Sequence, residues 1–168
     1  YIGLFLTDYF MRPSKMGGAW MNSLRDQAVI NGVSQTPIVL NTCNFPKGKP
    51  TLLGLDEVRT LFHEFGHALH GLLSKVTYQS LSGTSVKRDF VELPSQLMEH
   101  WAFEPEVLAT YAQHFETGET ISEELIAKIE ATATFNQGFA TSEYLAASYL
   151  DLQWHGNLTV EERATDAN

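Results

Sequence analysis

Two histidines four positions apart, with a glutamate directly after the first, constrain this 168-residue chain more than any other feature. The run is His63-Glu64-Phe65-Gly66-His67, and it lies inside a helical pattern. Val58, Leu61, Phe62 and Phe65 begin an apolar stripe that continues through Leu69, Leu72 and Leu73, the spacing of one helix face. Residues four apart on a helix stack one above the other, so both imidazoles can reach a single ion. At about 100° per residue, Glu64 projects roughly 60° from His67, where it can flank that ion without ligating it. This is the H-E-x-x-H arrangement, in which one helix supplies two zinc ligands and a general base.

A catalytic zinc takes a third protein ligand and a water. His70 shares the face but stands seven residues from His63, roughly 10 Å along the axis at ~1.5 Å per residue. Nitrogens bound at ~2.0–2.1 Å to one ion are at most about 4.2 Å apart. Distance therefore counts His70 out as a ligand, and it reads either as a packed histidine or as one that supports a ligand from behind. The longer metzincin pattern is excluded too, because it needs glycine and histidine where this chain has His70 and Leu73. The remaining candidates are Asp89, Glu92, Glu99 and His100, all within a second helical stretch expected over residues 89–103. Glu92 and Glu99 are seven apart and share a face, and spacing alone leaves them equal as third ligand.

Elsewhere the sequence predicts strands over residues 3–10 and 37–43, with a short helix at about 19–30 between them. Residues 45–50 form a loop, and Asp56 is the expected N-cap of the motif helix. Residues 71–83 leave that helix for a loop or strand. Pro94 belongs in the first turn of the second helix, where a missing N–H costs least. Pro105 opens a helix to about residue 115, and Thr120 with Glu123 makes a capping box for another from about 121. A last helix is expected over 139–154. The fold class is mainly α with a small β element, α+β.

Net charge is −9, split as +3 over residues 1–50 and −12 over residues 51–168. An acidic body without a basic stripe argues against nucleic acid as a partner. No apolar run approaches membrane-spanning length and no signal peptide is visible, so no membrane partner is expected. The single cysteine, Cys43, rules out an internal disulfide and fits a small core residue in a reducing, cytoplasmic setting. Tyr1 stands inside a strand pattern and Thr159-Val160-Glu161-Glu162 resembles a helix start, so the chain reads as part of a longer protein. The sequon Asn157-Leu158-Thr159 is read as inert.

The segments HEFGHALHGL and SGTSVKRDFVELPSQLMEHW together resemble the thimet oligopeptidase and neurolysin family of zinc metallopeptidases. The likeness is closer to its bacterial branch of peptidyl-dipeptidases and oligopeptidase A. GLFLTDYFMRPSKMGGAW and FNQGFATSEYLAASYLDLQWH resemble that branch as well, so the likeness spans nearly the whole chain. It implies a gluzincin-type, zincin-like core of neurolysin-type fold, with the motif helix packed on a second ligand-bearing helix. Residues 1–168 would be a partial catalytic domain whose partners are short peptide substrates and the remainder of its own full-length chain. One Zn2+ per chain would be held by His63, His67 and Glu92, the last matching the family's F-V-E-x-P-S-Q glutamate. Glu64 would be the catalytic base, and Asp89 and Glu99 would orient the histidines.

The resemblance also implies tyrosines and a histidine, in a separate Gly- and Tyr-rich segment, that stabilise the oxyanion. Residues 1–168 hold no counterpart, since Tyr144, Tyr149 and His155 read as helix-packing residues. The expectation is a weak or inactive peptidase when the chain is alone. Substrate backbone would add to a strand edge, for which residues 78–86 are the candidate. The competing reading is a non-enzymatic zinc-stabilised helical module, in which a fourth protein ligand closes the site. A metal-free helical interaction domain ranks below both.

Overall fold

The structure is a computed structural model that describes residues 1–156 and Thr159. The sequon at 157–159 and the helix-start pattern at 159–162 rest on residues outside those described. The chain divides into two compact units, Tyr1–Ile121 and the part from Ser122 onward.

In the first unit, β1 (Leu4–Phe10), β2 (Trp20–Arg25) and β5 (Ile38–Phe45) form a sheet in the order β1-β5-β2. β5 is central, parallel to β1 from Leu4↔Ile38 and antiparallel to β2 from Trp20↔Thr42. β3 (Ala28–Ile30) and β4 (Val33–Gln35) form a separate hairpin. Its turn is Asn31-Gly32, both at positive φ (51° and 78°), as a two-residue hairpin turn that follows the sheet twist requires. These strands replace the short helix expected over 19–30. Val29 and Ile30 are cheaper in a ladder than in a helix, and Gly32 supplies the reversal.

Helix α1 (Leu55–Leu72) lies on one face of the sheet. Val39, Asn41 and Cys43 of β5 are wholly buried there, and Phe65 meets Phe5 of β1 edge to face at 5.5 Å. Gly54, not Asp56, is the N-cap, and Glu57 reaches back to accept its N–H at 2.5 Å. Asp56 sits instead in the first turn, where its charge favours the helix dipole. At the far end Gly71 faces Val39, whose Cγ2 would be 3.0 Å from an added Cβ. The chain leaving α1 is pinned along β3: Gln27 pairs with both the N–H and the carbonyl of Val76, and Val29 N–H donates to Thr77 O.

Residues 78–86 hold a single 3-10 turn, Gln79–Leu81, and no strand. Helix α2 (Leu93–Ala102) starts later than expected, with residues 89–92 in turn conformation, and packs directly on α1. Pro94 occupies its first turn. Helix α3 (Pro105–Tyr111) stops short of residue 115, because the chain folds back on itself there. Gln113 bridges Thr120, His114 N–H donates to Glu119 O, and Gly118 turns the chain at φ 72°.

The second unit contains α4 (Glu123–Thr132) and α5 (Gln137–His155). Ser122, rather than Thr120, caps α4 by accepting the Leu125 N–H at 3.3 Å. Among the described residues no helix is long and apolar enough to cross a membrane. The class is α+β.

Candidate metal centre

One turn of α1 separates His63 from His67, and their rings stand nearly perpendicular with centroids 4.9 Å apart. Glu92, the N-cap residue of α2, brings its carboxylate to both. Its Oε2 lies 3.3 Å from His63 Nε2 and 3.2 Å from His67 Nε2. One ligand atom from each residue falls within 4.8 Å of the others. Ligand atoms on a tetrahedral ion at ~2.0–2.1 Å are about 3.4 Å apart, so both measured distances match such an edge. The donor set, two imidazoles and one carboxylate, fits a divalent ion with a position left for water.

The ring orientations support the same use. Glu99, one turn from the end of α2, places Oε1 2.7 Å from His63 Nδ1. An ionised carboxylate only accepts, so Nδ1 carries the proton and Nε2 keeps its lone pair for the site. His67 is mostly buried, and burial lowers its pKa, favouring the neutral ring that a ligand must be. Glu92 is pushed the other way. A hydrogen bond from Ser95, which outweighs the cost of burial, lowers its pKa and keeps it anionic although it is half-exposed.

Glu64 is 5% exposed, and its Oε2 is buried with no hydrogen-bond partner in the protein. Burial raises its pKa, an effect opposed by His63 and reinforced by Glu92. It opens onto a cleft of about 340 Å3 shared with His63, His67 and Glu92. Trp20 and Met21 of β2 form one wall of the cleft, and Thr84 and Val91 another. A basic carboxylate thus faces the same space as the three ligand atoms.

Four expected residues, His63, His67, Glu92 and Glu64, therefore meet at one cleft, with Glu99 behind His63. Asp89 does not join them. It is exposed in the turn before α2, and no hydrogen bond among the described residues links it to either histidine. His70 lies apart, its ring 6.2 Å from that of Phe90, in a second, apolar pocket with Leu69, Leu73 and Pro94. Residues 78–86 offer no strand edge; the edge strand beside the cleft is β2. Sequence reasoning missed that strand, and with it Trp20 and Met21. The Asn31-Gly32 turn was the available signal, since it makes a hairpin of the residues around it and argues against helix over 19–30.

A model of Peptidase family M3 matches residues 1–167. The chain belongs to this family. Dipeptidyl carboxypeptidase of Escherichia coli (strain K12) is 48% identical to this M3 chain over 157 residues, covering 92% of the chain and 23% of that protein. Oligopeptidase A of Salmonella typhimurium is 41% identical over 167 residues, covering 96% of the chain and 25% of that protein. Organellar oligopeptidase A of Arabidopsis thaliana is 40% identical over 163 residues, covering 92% and 21%. The M3 chain thus spans about a quarter of the length of the relatives it matches.

Proposed function

We propose that this chain carries the zinc centre and general base of a peptide-bond hydrolase acting on short peptides, within a zincin-like core. The observation that carries the reading is the convergence of His63 Nε2, His67 Nε2 and Glu92 Oε2 beside the buried carboxylate of Glu64. The relatives' names, dipeptidyl carboxypeptidase and oligopeptidase A, support peptides as the substrate class.

His63, His67 and Glu92 would hold the ion, and Glu99 would keep the His63 ring turned toward it. A zinc ion bound there supplies Lewis acidity, polarising the scissile carbonyl and lowering the pKa of water toward ~7. Glu64 takes the proton from the attacking water and returns it to the leaving amine. Its buried setting raises its basicity, which serves both transfers. The outer edge of β2, which pairs with no other strand among the described residues, takes the substrate backbone as an added strand. Trp20 and Met21 then lie against the substrate at the cleft wall.

Glu64→Gln separates this reading from a purely structural metal site. The variant is expected to bind one zinc per chain as the parent does, while cleavage of short peptides falls ~10²–10⁴-fold. Zinc binding with no Glu64-dependent cleavage would mean that the chain by itself is no enzyme, and a fourth protein ligand on that zinc would mark a purely structural module.

A further inference from the structure

We propose that Ser95 is a positioning residue of the metal centre, its hydroxyl holding Glu92 Oε2 between the two histidine nitrogens while its backbone rests against the bare Cα of Gly66. The inference rests on His63, His67 and Glu92 being metal ligands.

Glu92 needs such a restraint. Its side chain is 49% exposed and makes no capping bond to its own helix, so water alone would leave its rotamers free. Ser95 is 0% exposed, and its Oγ lies 2.8 Å from Glu92 Oε2 and 2.9 Å from Glu92 O. A hydroxyl has one proton to give. The Glu92 carbonyl already accepts the Gln96 N–H at 2.9 Å, and the charged carboxylate is the stronger acceptor for the Ser95 proton. A carboxylate oxygen carries two lone pairs. At Oε2, one can take the hydroxyl while the other faces His63 and His67.

The approach of α2 depends on Gly66, between the two histidines on α1. A Cβ built there would lie 2.5 Å from Pro94 O and 2.5 Å from Ser95 Cα. Both are backbone atoms that no side-chain rotation can move. Glycine in a helix interior costs about 1 kcal/mol relative to alanine, so its presence here goes against local helix preference. The close approach it allows sets Ser95 and the preceding glutamate within reach of the histidines.

The test measures zinc affinity of the full chain by competition with a chromophoric chelator, in the parent, Ser95→Ala, Glu92→Ala and the double variant. Ser95→Ala is expected to weaken zinc binding ~10- to 100-fold, with the metal-free melting temperature close to that of the parent. In the Glu92→Ala background, Ser95→Ala should add no further loss, an outcome that a packing role would not produce. Unchanged zinc affinity in Ser95→Ala, or an equal loss in both backgrounds, overturns the proposal. If Glu92→Ala itself binds zinc as the parent does, the ligand assignment has failed, and the role of Ser95 falls with it.

Discussion

His63 is held at both ends of its ring, by Glu99 Oε1 2.7 Å from Nδ1 and by the Glu92 carboxylate 3.3 Å from Nε2. The Glu99 contact fixes the tautomer and the direction of the ring, so it should act on a bound metal without touching it. Glu99→Ala is expected to weaken zinc binding ~10- to 100-fold by chelator competition. Glu99→Gln should lose less, because its amide oxygen still accepts from Nδ1–H; equal losses would mean that the charge, not the hydrogen bond, matters. A second residue acts on stability. Cys43 is wholly buried on β5, and burial, reinforced by the nearby Glu64 carboxylate, pushes its thiol up to about 11 from an ordinary value of 9.0. The unfolded chain gives up this proton more readily than the folded one. Stability from this group is therefore complete below about 9 and lost as pH rises toward about 11. Urea unfolding midpoints across that window should fall in the parent and fall less in Cys43→Ala. The native thiol should resist a disulfide reagent at pH 8 and react once urea unfolds the chain.

The candidate metal centre depends on how closely α1 and α2 pack. Gly66→Ala places a methyl into the backbone of Pro94 and Ser95, and overpacking of this kind costs ~1–3 kcal/mol. The expected result is a lower melting temperature together with weaker zinc binding, read by calorimetry and chelator competition. A more stable variant with parental zinc affinity would mean that α1 and α2 can separate at no cost to the site. Helix α1 was legible in the sequence because its apolar stripe and its histidines share one 3.6-residue period, which is a local property. The choice of Glu92 over Glu99 was not legible from spacing, because both lie on one face. What separates them is that Glu92 precedes the helix and turns its carboxylate to the two Nε2 atoms, while Glu99 meets Nδ1 of His63. β2 was hard to read for a different reason, its one signal being the Asn31-Gly32 turn that follows it. Its identity as a strand comes from pairing with β5, some twenty residues away, and its residues Trp20 to Arg25 carry little local β preference beyond the tryptophan. Asp89 stands apart from both histidines because α2 begins after it, and helical spacing does not set the direction of a residue still in the turn.

On the scale of the whole molecule, both units expose large apolar side chains, and in the second neither α4 nor α5 buries a residue. Helix α5 has 19 residues and buries none of them. Leu145, Tyr149 and Leu152 follow one another at helical spacing along its surface, and all three are exposed. A stripe of that kind ordinarily faces a core. The relatives matched here are about four times as long as this chain, so they have ample polypeptide with which to cover such a surface. In the chain by itself the stripe should bind a hydrophobic dye such as ANS and promote self-association as salt screens the net charge of −9. Replacing Leu145, Tyr149 and Leu152 with serine is expected to reduce dye fluorescence several-fold and raise the salt concentration at which the chain associates. Zinc affinity should not change, because His63, His67, Glu92, Ser95 and Glu99 all belong to the unit Tyr1–Ile121. Measuring dye binding and zinc affinity on the same samples separates the two properties. A loss of both would mean that the first unit needs an intact α5 to hold its metal site, and that the site's stability cannot be assigned to α1 and α2 alone.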